Sequence, residues 1–512
     1  MNLKNIIFKG FAFCAIVLTA SCSDDYLEKA PTRYLEEEGV TATMQKTPEK
    51  VQAYVTGAYM NLYIGGDYRK SHDDFGLRAI KLATDLYCED VAYNRDAHYF
   101  CYDYQLDNRL GNYRRVGSTW NQLYSVIDNA NTIILMLKPA DGGQPASKEA
   151  KIMLGEAYSL RAYCYFWLIN LWQHPYSVAA DKPGVPLKTE EVYRQERVPV
   201  KDIYAQILSD IEKGYDYLKG EKYHNGKVGL SEYAAAAIYA NILMFTSDYA
   251  NAAKYAEAAA AGGSFNSESD MLAGFNSLNM PEVIWGYNVT TETTGYYASF
   301  FSHVDSYMIG YGGKIGYRKL IASDLYNKIA EKDIRKKWFG YNADYNKLNV
   351  SYAYEEAANL TPYIQNKFRD TYITGTSTEA FTSAIIYFRS GEMYFVAAEA
   401  YYLAGDQTKA RNMLNAVMAT RIPGYSCTES GDALYREICL QKRIDTWMEG
   451  NRYLDAKRRD ETIDRSTSTN HAVDLPKFKA VTYSSRDFRM IYHIPDSEMQ
   501  NNPAITKNDD NE

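Results

Sequence analysis

The segment from residue 85 to residue 115 carries seven aromatic residues that follow neither helical nor strand spacing. Acids, amides and arginines stand between them. A tyrosine ring can stack on the apolar face of a sugar while neighbouring polar groups bond to the sugar's hydroxyls. The segment therefore predicts a carbohydrate-binding loop, for which the candidate contact residues are Asp85, Asp90, Tyr93, Asn94, Arg95 and Tyr99.

A second aromatic segment, TTETTGYYASFFSHVDSY, occupies residues 290–307. It adds Tyr296, Tyr297 and Phe300 to the predicted ligand-binding set. The chain has 48 tyrosines among 512 residues, so the competing interpretation is that many of them fill seams between loops and helices. Binding energy usually concentrates in a few residues, and only some of this set are expected to touch ligand.

Other reactive side chains favour binding over catalysis. Glu392 and Glu399 lie on one face of a predicted helix, whereas a glycosidase places two carboxyl groups across a cleft. No serine or cysteine stands in a nucleophile motif. The run of His72, Asp73 and Asp74 could bind a cation only with oxygen ligands from elsewhere. We therefore predict no catalytic residue, no metal and no cofactor.

Two segments with one shared pattern indicate a helical scaffold. Residues 232–261 and 392–419 each read as a helix, a tight turn and a second helix, with small residues where the helices must approach. An offset of 158 residues, from Ser247 to Gly405, aligns the two turns. The pattern matches tetratricopeptide units, and a plain helical hairpin is the alternative.

Further helices extend this scaffold. Residues 120–137 have an apolar stripe at helical spacing, and residues 148–172 form a long helix that is apolar on nearly all sides. These two segments predict a third helical pair. A fourth pair would combine residues 55–63 with residues 198–218. Residues 262–288 and 290–349 lack a sustained period and read as loops, with EVIWGYNV as the best strand candidate. The charged run KRRDETIDR, residues 457–465, reads as a solvated helix end.

Charge and cysteine content narrow the function classes. The chain has 56 basic and 64 acidic residues, for a net charge of −8, and no basic stripe. Nucleic acid is therefore not an expected partner. Seven cysteines without CxxC spacing argue against a zinc site or a disulfide framework, and buried thiols are favoured over Cys88–Cys101 or Cys427–Cys439 pairs.

The first residues predict an export signal. Lys4 and Lys9 precede a short apolar block, residues 11–20, and small residues lead to Cys22. The stretch resembles a bacterial lipoprotein box, in which the cysteine is acylated and anchors the chain to a membrane. Thr19 stands where such a box usually has leucine. An ordinary secreted protein is the alternative.

Several blocks together resemble the SusD/RagB family of Bacteroidetes outer-membrane lipoproteins. They are GEAYSLRAYCYFWLINLWQHPY at residues 155–176, YFRSGEMYFVAAEAYYLAGDQTKARNMLNAVMATR at 387–421, LQKRIDTWMEGNRYLDAKR at 440–458 and YHIPDSEMQNNP at 492–503. The blocks occur in family order. Two departures are Gln441-Lys442 before Arg443, where the family has Glu-Arg, and a C-terminus without the family's aromatic tail.

The resemblance implies a mainly α fold: about four tetratricopeptide-like helix pairs, with long irregular loops and a few short strands that carry the ligand face. It implies a signal peptide at residues 1–21 and a single domain at 22–512, divided near residue 230 into a SusD-like part and a RagB/SusD part. Glu392 and Glu399 would then connect helices.

The resemblance also implies a non-enzymatic function. Such a protein binds oligosaccharides at the cell surface, is anchored in the outer membrane through Cys22, and delivers its ligand to a SusC-like TonB-dependent transporter. A peptide-binding member of the same family is the alternative within this architecture. A surface hydrolase and a protein-binding scaffold are alternatives of other classes.

Overall fold

The structure, a computed structural model, describes residues 47, 50–64, 71–93, 95, 97–139, 142–221, 226–345, 357–371, 381–471 and 481–508. Helices dominate it, as the sequence predicted. Among these residues, no helix has the length and apolar character needed to cross a membrane. The predicted leader and Cys22 lie outside the described residues.

Eleven helices of eight residues or more make up the scaffold among the described residues. In chain order they are α1 (Gln52–Ile64), α2 (Leu77–Leu86), α3 (Arg114–Leu137), α4 (Lys148–Trp172), α5 (Val200–Leu218), α6 (Glu232–Thr246), α7 (Tyr249–Ala260), α8 (Ser390–Leu403), α9 (Gln407–Met418), α10 (Gly431–Asp445) and α11 (Arg452–Arg459). Short helices occupy Cys101–Tyr104, Tyr176–Ala179, Glu268–Met271, Phe300–Val304, Ser323–Asn327 and Asp496–Asn501, and 3₁₀ turns occupy Asp107–Arg109, Ile334–Trp338, Ala343–Tyr345 and Phe488–Met490.

The long helices pack in series. Helix α1 packs on α3, α3 on α4, α4 on α5, α5 on α6, α6 on α7, α7 on α8, and α8 on both α9 and α10. Stacking of each helix on its neighbour buries a continuous apolar core, which is the packing logic of helical repeats. The predicted tetratricopeptide-like scaffold is confirmed, as is the pairing of α3 with α4. Helix α1 does not pair with α5 as predicted but packs on α3.

The two aligned repeats share their turn chemistry. Ser247 and Gly405, which the offset of 158 residues superposes, both have positive φ, at 63° and 90°. The next residue caps the second helix in each repeat: Asp248 accepts from the backbone N–H of Asn251, and Asp406 from that of Lys409. A left-handed residue ends one helix and an Asp cap begins the next, which explains why the sequences align.

Eight short strands form four antiparallel pairs in the described part of the chain. The strands are β1 (Val91–Tyr93), β2 (Pro183–Lys188), β3 (Tyr193–Pro199), β4 (Val283–Tyr287), β5 (Lys319–Ile321), β6 (Ile385–Arg389), β7 (Thr462–Asp464) and β8 (Thr482–Ser484). The pairs are β1 with β5, β2 with β3, β4 with β6, and β7 with β8. The strand predicted from EVIWGYNV is β4, and its partner β6 leads directly into α8.

A buried ionic cluster ties β6 to the helices around it. The Arg389 guanidinium pairs with Glu282, Asp445 and Glu449, and Arg421 pairs with the first two of these carboxylates. All of these side chains are at least nine-tenths buried. Glu449 belongs to the block LQKRIDTWMEGNRYLDAKR that resembles the SusD/RagB family, and its carboxylate serves packing. A buried carboxylate of this kind is stable because several guanidinium groups satisfy it.

The charged run at residues 457–465 is not a solvated helix end, and that prediction was wrong. Lys457 and Arg465 are buried. The side chains of Arg458 and Arg459 are 8% and 4% exposed because both guanidinium groups pair with the carboxylate of Glu399 on α8. Glu399 therefore connects α8 to α11, in line with the helix-connecting role that the family resemblance implied.

Candidate ligand-binding site

The two predicted aromatic segments meet at a residue that belongs to neither of them. The ring of Tyr311 contacts Tyr99 of the first segment edge to face, with centroids 5.4 Å apart, and Tyr297 of the second with centroids 6.0 Å apart. Tyr296 stands against Tyr297 at 5.1 Å. We call Tyr99, Tyr296, Tyr297 and Tyr311 the tyrosine cluster. Its first three members are half-buried, so each presents part of its ring to solvent.

Strand pairing and a tight loop hold this cluster in place. β1 pairs with β5 in the register Ala92 to Leu320, which brings the chain before Tyr99 next to the chain after Tyr311. Between residues 302 and 317 the loop closes on itself, and Tyr317 donates its backbone N–H to the carbonyl of Tyr311 at 2.8 Å. A Cβ atom on Gly313 would lie 1.9 Å from the carbonyl oxygen of Met308. The loop therefore requires glycine at this position.

Two histidines orient the ring of Tyr311 from the protein side. Its ring stacks on His303 at 4.6 Å, and its hydroxyl lies 2.6 Å from Nδ1 of His72. Nε2 of His303 lies 2.8 Å from the backbone carbonyl of His72, which can only accept, so this nitrogen carries a proton. Burial lowers the pKa of His303 well below its usual value. The imidazole of His303 is thus neutral, and the ring of Tyr311 packs against an uncharged aromatic ring.

Backbone strain concentrates at the same place. His98, Tyr99 and Tyr296 have φ values of 63°, 23° and 56°, in the left-handed region that residues with side chains avoid. Phe381, whose ring lies 5.9 Å from that of Tyr296, has a φ of 65°. Each such residue costs on the order of 1–3 kcal/mol, and strain of this kind clusters at ligand-binding sites.

A cationic edge borders the cluster. The guanidinium carbon of Arg95 lies 5.5 Å above the ring of Tyr317. His98 meets the same ring edge to face at 4.3 Å. Arg95 is half-buried and His98 is exposed. This edge adds hydrogen-bond donors beside the stacking surface, which is the combination that sugar hydroxyls require.

A small cavity of about 40 Å³ opens next to the cluster, and Phe381 in its wall contacts the ring of Tyr297. Aromatic and small residues form most of its wall, and polar groups from several loops reach it: Phe75, Ala298, Phe300 and Phe381, with Asp74, Thr293, Ser299 and Ser383. It has room for a few water molecules or one substituent of a larger ligand. The cavity is therefore too small to enclose a whole sugar ring.

Four of the predicted contact residues lie in the protein interior. Tyr93 is 1% exposed, and its hydroxyl donates to the carbonyl of Ala97 at 3.1 Å. Phe300 is 3% exposed and lies under the guanidinium of Arg78 at 4.0 Å. The remaining two of the four are Asp85 and Asp90.

Both acids serve the fold. Asp85 accepts the backbone N–H of Gly450 at 2.7 Å, and burial raises its pKa to about 7. Asp90 pairs with Arg443 and Arg452. We therefore remove Asp85, Asp90, Tyr93 and Phe300 from the proposed contact set. Arg95, Tyr99, Tyr296 and Tyr297 stay in it, and Asn94 lies outside the described residues.

The sequence reading did not assign Tyr311, Tyr317 or His98 to the site. The signal available for the first two was their position in the glycine-rich stretch GYGGKIGY, where a loop presents aromatic residues at close spacing. The run of His72, Asp73 and Asp74 is the sequence-based candidate for a cation site. Asp73 instead pairs with Arg114 and Arg115. The described part of the chain contains no cluster of three or more His, Cys, Asp or Glu arranged to bind a metal.

The sequence of this chain is similar to those of known protein families. Residues 25–244 match a family model described as "Starch-binding associating with outer membrane", and residues 255–510 match one described as "SusD family". A SusD-like protein of Formosa agariphila is 26% identical over 253 residues, which are 48% of this chain and 43% of the relative. The match thus spans less than half the length of that relative.

Solved structures share the fold of about nine-tenths of the chain. A SusD-like carbohydrate binding protein from Bacteroides vulgatus superposes with a TM-score of 0.76 at 20% identity, over 89% of this chain and 97% of the other. Surface glycan-binding protein A from Bacteroides thetaiotaomicron, in complex with laminarihexaose, gives a TM-score of 0.66 at 16% identity, over 90% and 99%. At these identities the likeness shows the fold.

Proposed function

The chain belongs to the SusD/RagB family, and from this premise we propose that it binds oligosaccharides and delivers them to a SusC-like TonB-dependent transporter. One observation carries the binding step. Two sequence-distant aromatic segments converge on Tyr311 to form a half-exposed tyrosine surface with a cationic edge. Such a surface suits the apolar faces and hydroxyl groups of sugars.

The proposed contact residues are Tyr99, Tyr296, Tyr297 and Arg95. Tyr99 and Tyr297 meet Tyr311 nearly at right angles, with interplanar angles of 83° and 72°. Rings at such angles leave faces in different directions for stacking. Because packing fixes these rings before the ligand arrives, little conformational entropy is lost on binding.

We propose capture of the ligand without turnover. Of the carboxylates considered for catalysis, Glu392 accepts from Asn451 and is 1% exposed, and Glu399 is enclosed by Arg458 and Arg459. Neither faces a cleft. The family description, starch binding in association with the outer membrane, supports the same role.

The place of action is likewise proposed from the sequence and the family. Acylation of Cys22 after removal of residues 1–21 would anchor the chain in the outer membrane, and we propose that the body then faces the cell exterior. The family description supports association with this membrane. Lipid labelling of the wild-type chain and of Cys22→Ala, followed by protease treatment of intact cells, tests both points.

Isothermal titration calorimetry of the soluble chain begun after Cys22 tests the binding function. Laminarihexaose is the first probe, because a protein of the same fold binds it. Starch-derived, plant-derived and mucin-derived oligosaccharides follow, with peptides as the comparison set. Saturable binding of a glycan without product formation is expected. Binding of peptides alone would contradict glycan capture, and cleavage of a ligand would contradict a non-enzymatic role.

A further inference from the structure

A second groove lies on the helical scaffold, at residues that the tyrosine cluster does not use. It encloses about 290 Å³ between helix α3, the β2–β3 hairpin and the short helix Asp496–Asn501. We call it the α3 groove, and its lining comprises Trp120, Asn121, Tyr124, Ser125, Asp128, Pro186, Lys188, Tyr193 and Glu498. We propose that the α3 groove binds one neutral sugar unit. The inference shares its ligand class with the proposed function but none of its residues.

The groove is a rigid feature of the fold. Trp120, Tyr124 and Asp128 recur every four residues, so they share one face of α3. The Tyr124 hydroxyl donates to the carbonyl of Pro186 at 2.7 Å, and this bond fixes the hairpin to the helix. Asn502 donates to the carbonyl of Gln195 at 3.0 Å, which fixes the C-terminal helix to the same hairpin. The groove therefore exists before any ligand enters.

Its aromatic groups are placed for stacking. Trp120 and Tyr124 contact each other at 4.9 Å and form the floor. Tyr193 begins strand β3 and is 58% exposed, the most exposed of the large apolar side chains in the described residues. Lys188 covers one part of its ring, with Nζ 5.3 Å from the centroid. The rest of the ring is accessible to the apolar face of a sugar.

Polar groups in the groove suit a ligand with several hydroxyls. Lys188 and Asp128 form an ion pair at 2.7 Å, and their side chains stay 37% and 48% exposed, so each retains bonding capacity toward solvent. Asn121 is exposed and offers a donor and an acceptor. Glu498 adds a half-buried carboxylate. Together they offer donors and acceptors around one aromatic ring.

Charge and size define the ligand class. The lining carries two carboxylates against one ammonium group, so it disfavours phosphates and acidic sugars. A volume of about 290 Å³ lies at the lower limit of the roughly 300–1,000 Å³ typical of small-molecule sites. These properties fit a single neutral sugar unit, either free or at the end of a longer chain.

The α3 groove is separate from the tyrosine cluster. The link between them is Arg114, at the start of α3, which pairs with Asp73 beside His72. Tyr124 lies about 15 Å further along the axis of this helix, at 1.5 Å per residue. A variant in one place therefore leaves the other intact, and the two binding functions can be tested independently.

Saturation-transfer NMR on the soluble full-length mature chain provides the test, with the methyl glycosides of glucose, galactose, mannose and xylose as probes. Wild type is compared with Tyr193→Ala, Asp128→Asn and Tyr297→Ala, and with Tyr102→Ala as a matched control for loss of an exposed tyrosine. At least one glycoside is expected to bind, with an apparent affinity that falls about tenfold in Tyr193→Ala, as loss of a stacking ring predicts. Asp128→Asn should also weaken binding.

The α3 groove is supported if this binding persists in Tyr297→Ala and Tyr102→Ala. The inference is overturned if none of the glycosides binds to Tyr297→Ala, or if binding is unchanged in both Tyr193→Ala and Asp128→Asn. Failure of the tyrosine cluster as the proposed oligosaccharide site has a different result: oligosaccharide binding that does not respond to Tyr297→Ala. The two proposals can therefore fail separately.

Discussion

The phenol ring of Tyr311 lies parallel to the imidazole of His303, with the ring centroids 4.6 Å apart and the planes 10° apart. His303 lies in the short helix Phe300–Val304, and the loop that follows this helix folds back and places Tyr311 on the histidine ring. Tyr99 and Tyr297 then contact Tyr311 from the two aromatic segments. This stack is the structural reason that residues from distant parts of the chain form one surface.

Removal of the Tyr311 ring should therefore disorder the tyrosine cluster. Tyr311→Ala is expected to weaken oligosaccharide binding about tenfold or more, because Tyr99 and Tyr297 lose the ring that fixes their orientation. Tyr311→Phe keeps the ring and loses the hydrogen bonds of the hydroxyl, including the one to His72, so its binding should stay within about threefold of wild type. Calorimetry with both variants measures the difference. Equal losses in the two variants would mean that the hydroxyl, rather than the ring, is what matters.

The loop below Tyr311 offers a test that leaves every contact side chain in place. Gly313→Ala is expected to shift the loop and weaken binding, because its Cβ would lie 1.9 Å from the Met308 carbonyl oxygen. Gly117→Ala is the matched control: this glycine lies inside α3 with nothing within 4 Å of its Cβ position. The control should bind normally and gain up to about 1 kcal/mol in the free energy of unfolding. Normal binding by Gly313→Ala would contradict the role given to the loop.

Acid should destabilise the protein through the Arg389 cluster. Burial opposes ionisation of Glu449, but Arg389 and Lys367 outweigh it and lower its pKa from 4.5 to about 2. The native state therefore favours ionised Glu449. The stabilisation of the fold that results is present above pH 4.5 and is lost as the pH falls toward 2. It amounts to about 3 kcal/mol for this one group.

Glu449→Gln tests that contribution. The variant should unfold at a lower urea concentration than wild type at pH 7. Its free energy of unfolding should be about 3–5 kcal/mol lower, because Arg389 and Lys367 stay buried without the Glu449 carboxylate to balance their charge. Its stability should also fall less steeply than that of wild type between pH 4.5 and 2. Urea unfolding at several pH values measures both effects. If the free energy of unfolding of the variant fell with pH as steeply as that of wild type, Glu449 would not be a main source of the acid sensitivity.

Lys457 should affect stability in the alkaline range. Its Nζ donates to the carbonyls of Asn170, Gln173 and Met490 at 2.6, 3.0 and 3.2 Å, and burial lowers its pKa from 10.5 to about 7. Between pH 7 and 10.5 the unfolded chain therefore binds more protons than the folded chain, and this lysine makes stability rise with pH. Lys457→Met should remove that rise. Unfolding curves of both proteins across this range provide the measurement, and identical pH dependence would contradict the assignment.

Much of the scaffold could be predicted from the sequence because its signals are local. The turn that precedes each Asp cap lies within a few residues of both helices it joins, so Ser247 with Asp248, and Gly405 with Asp406, mark the repeats directly. The pairing of α1 could not be predicted in this way. Its apolar face is compatible with several neighbours, and the choice of α3 depends on contacts that are remote in sequence.

The site was predictable only as two separate segments. Nothing local to Asp90 reveals that Arg443, 353 residues later, pairs with it, so the sequence alone predicts this acid as a ligand contact. Likewise, Phe300 and Tyr93 have the same residue types as exposed stacking rings, and only the packing of Arg78 and Lys319 against them shows that they lie inside. Tyr311 cannot be predicted from either segment alone because its role depends on contacts with both.

The central claim is that the tyrosine cluster binds an oligosaccharide, and calorimetric titration of wild type, Tyr297→Ala and Tyr102→Ala against the oligosaccharide panel tests it most directly. Both variants remove a partly exposed tyrosine ring, but only the first belongs to the cluster. At least one glycan should bind to wild type and to Tyr102→Ala with the same affinity, and about tenfold more weakly to Tyr297→Ala. Equal affinity for all three proteins, or no glycan binding by wild type, would contradict the account.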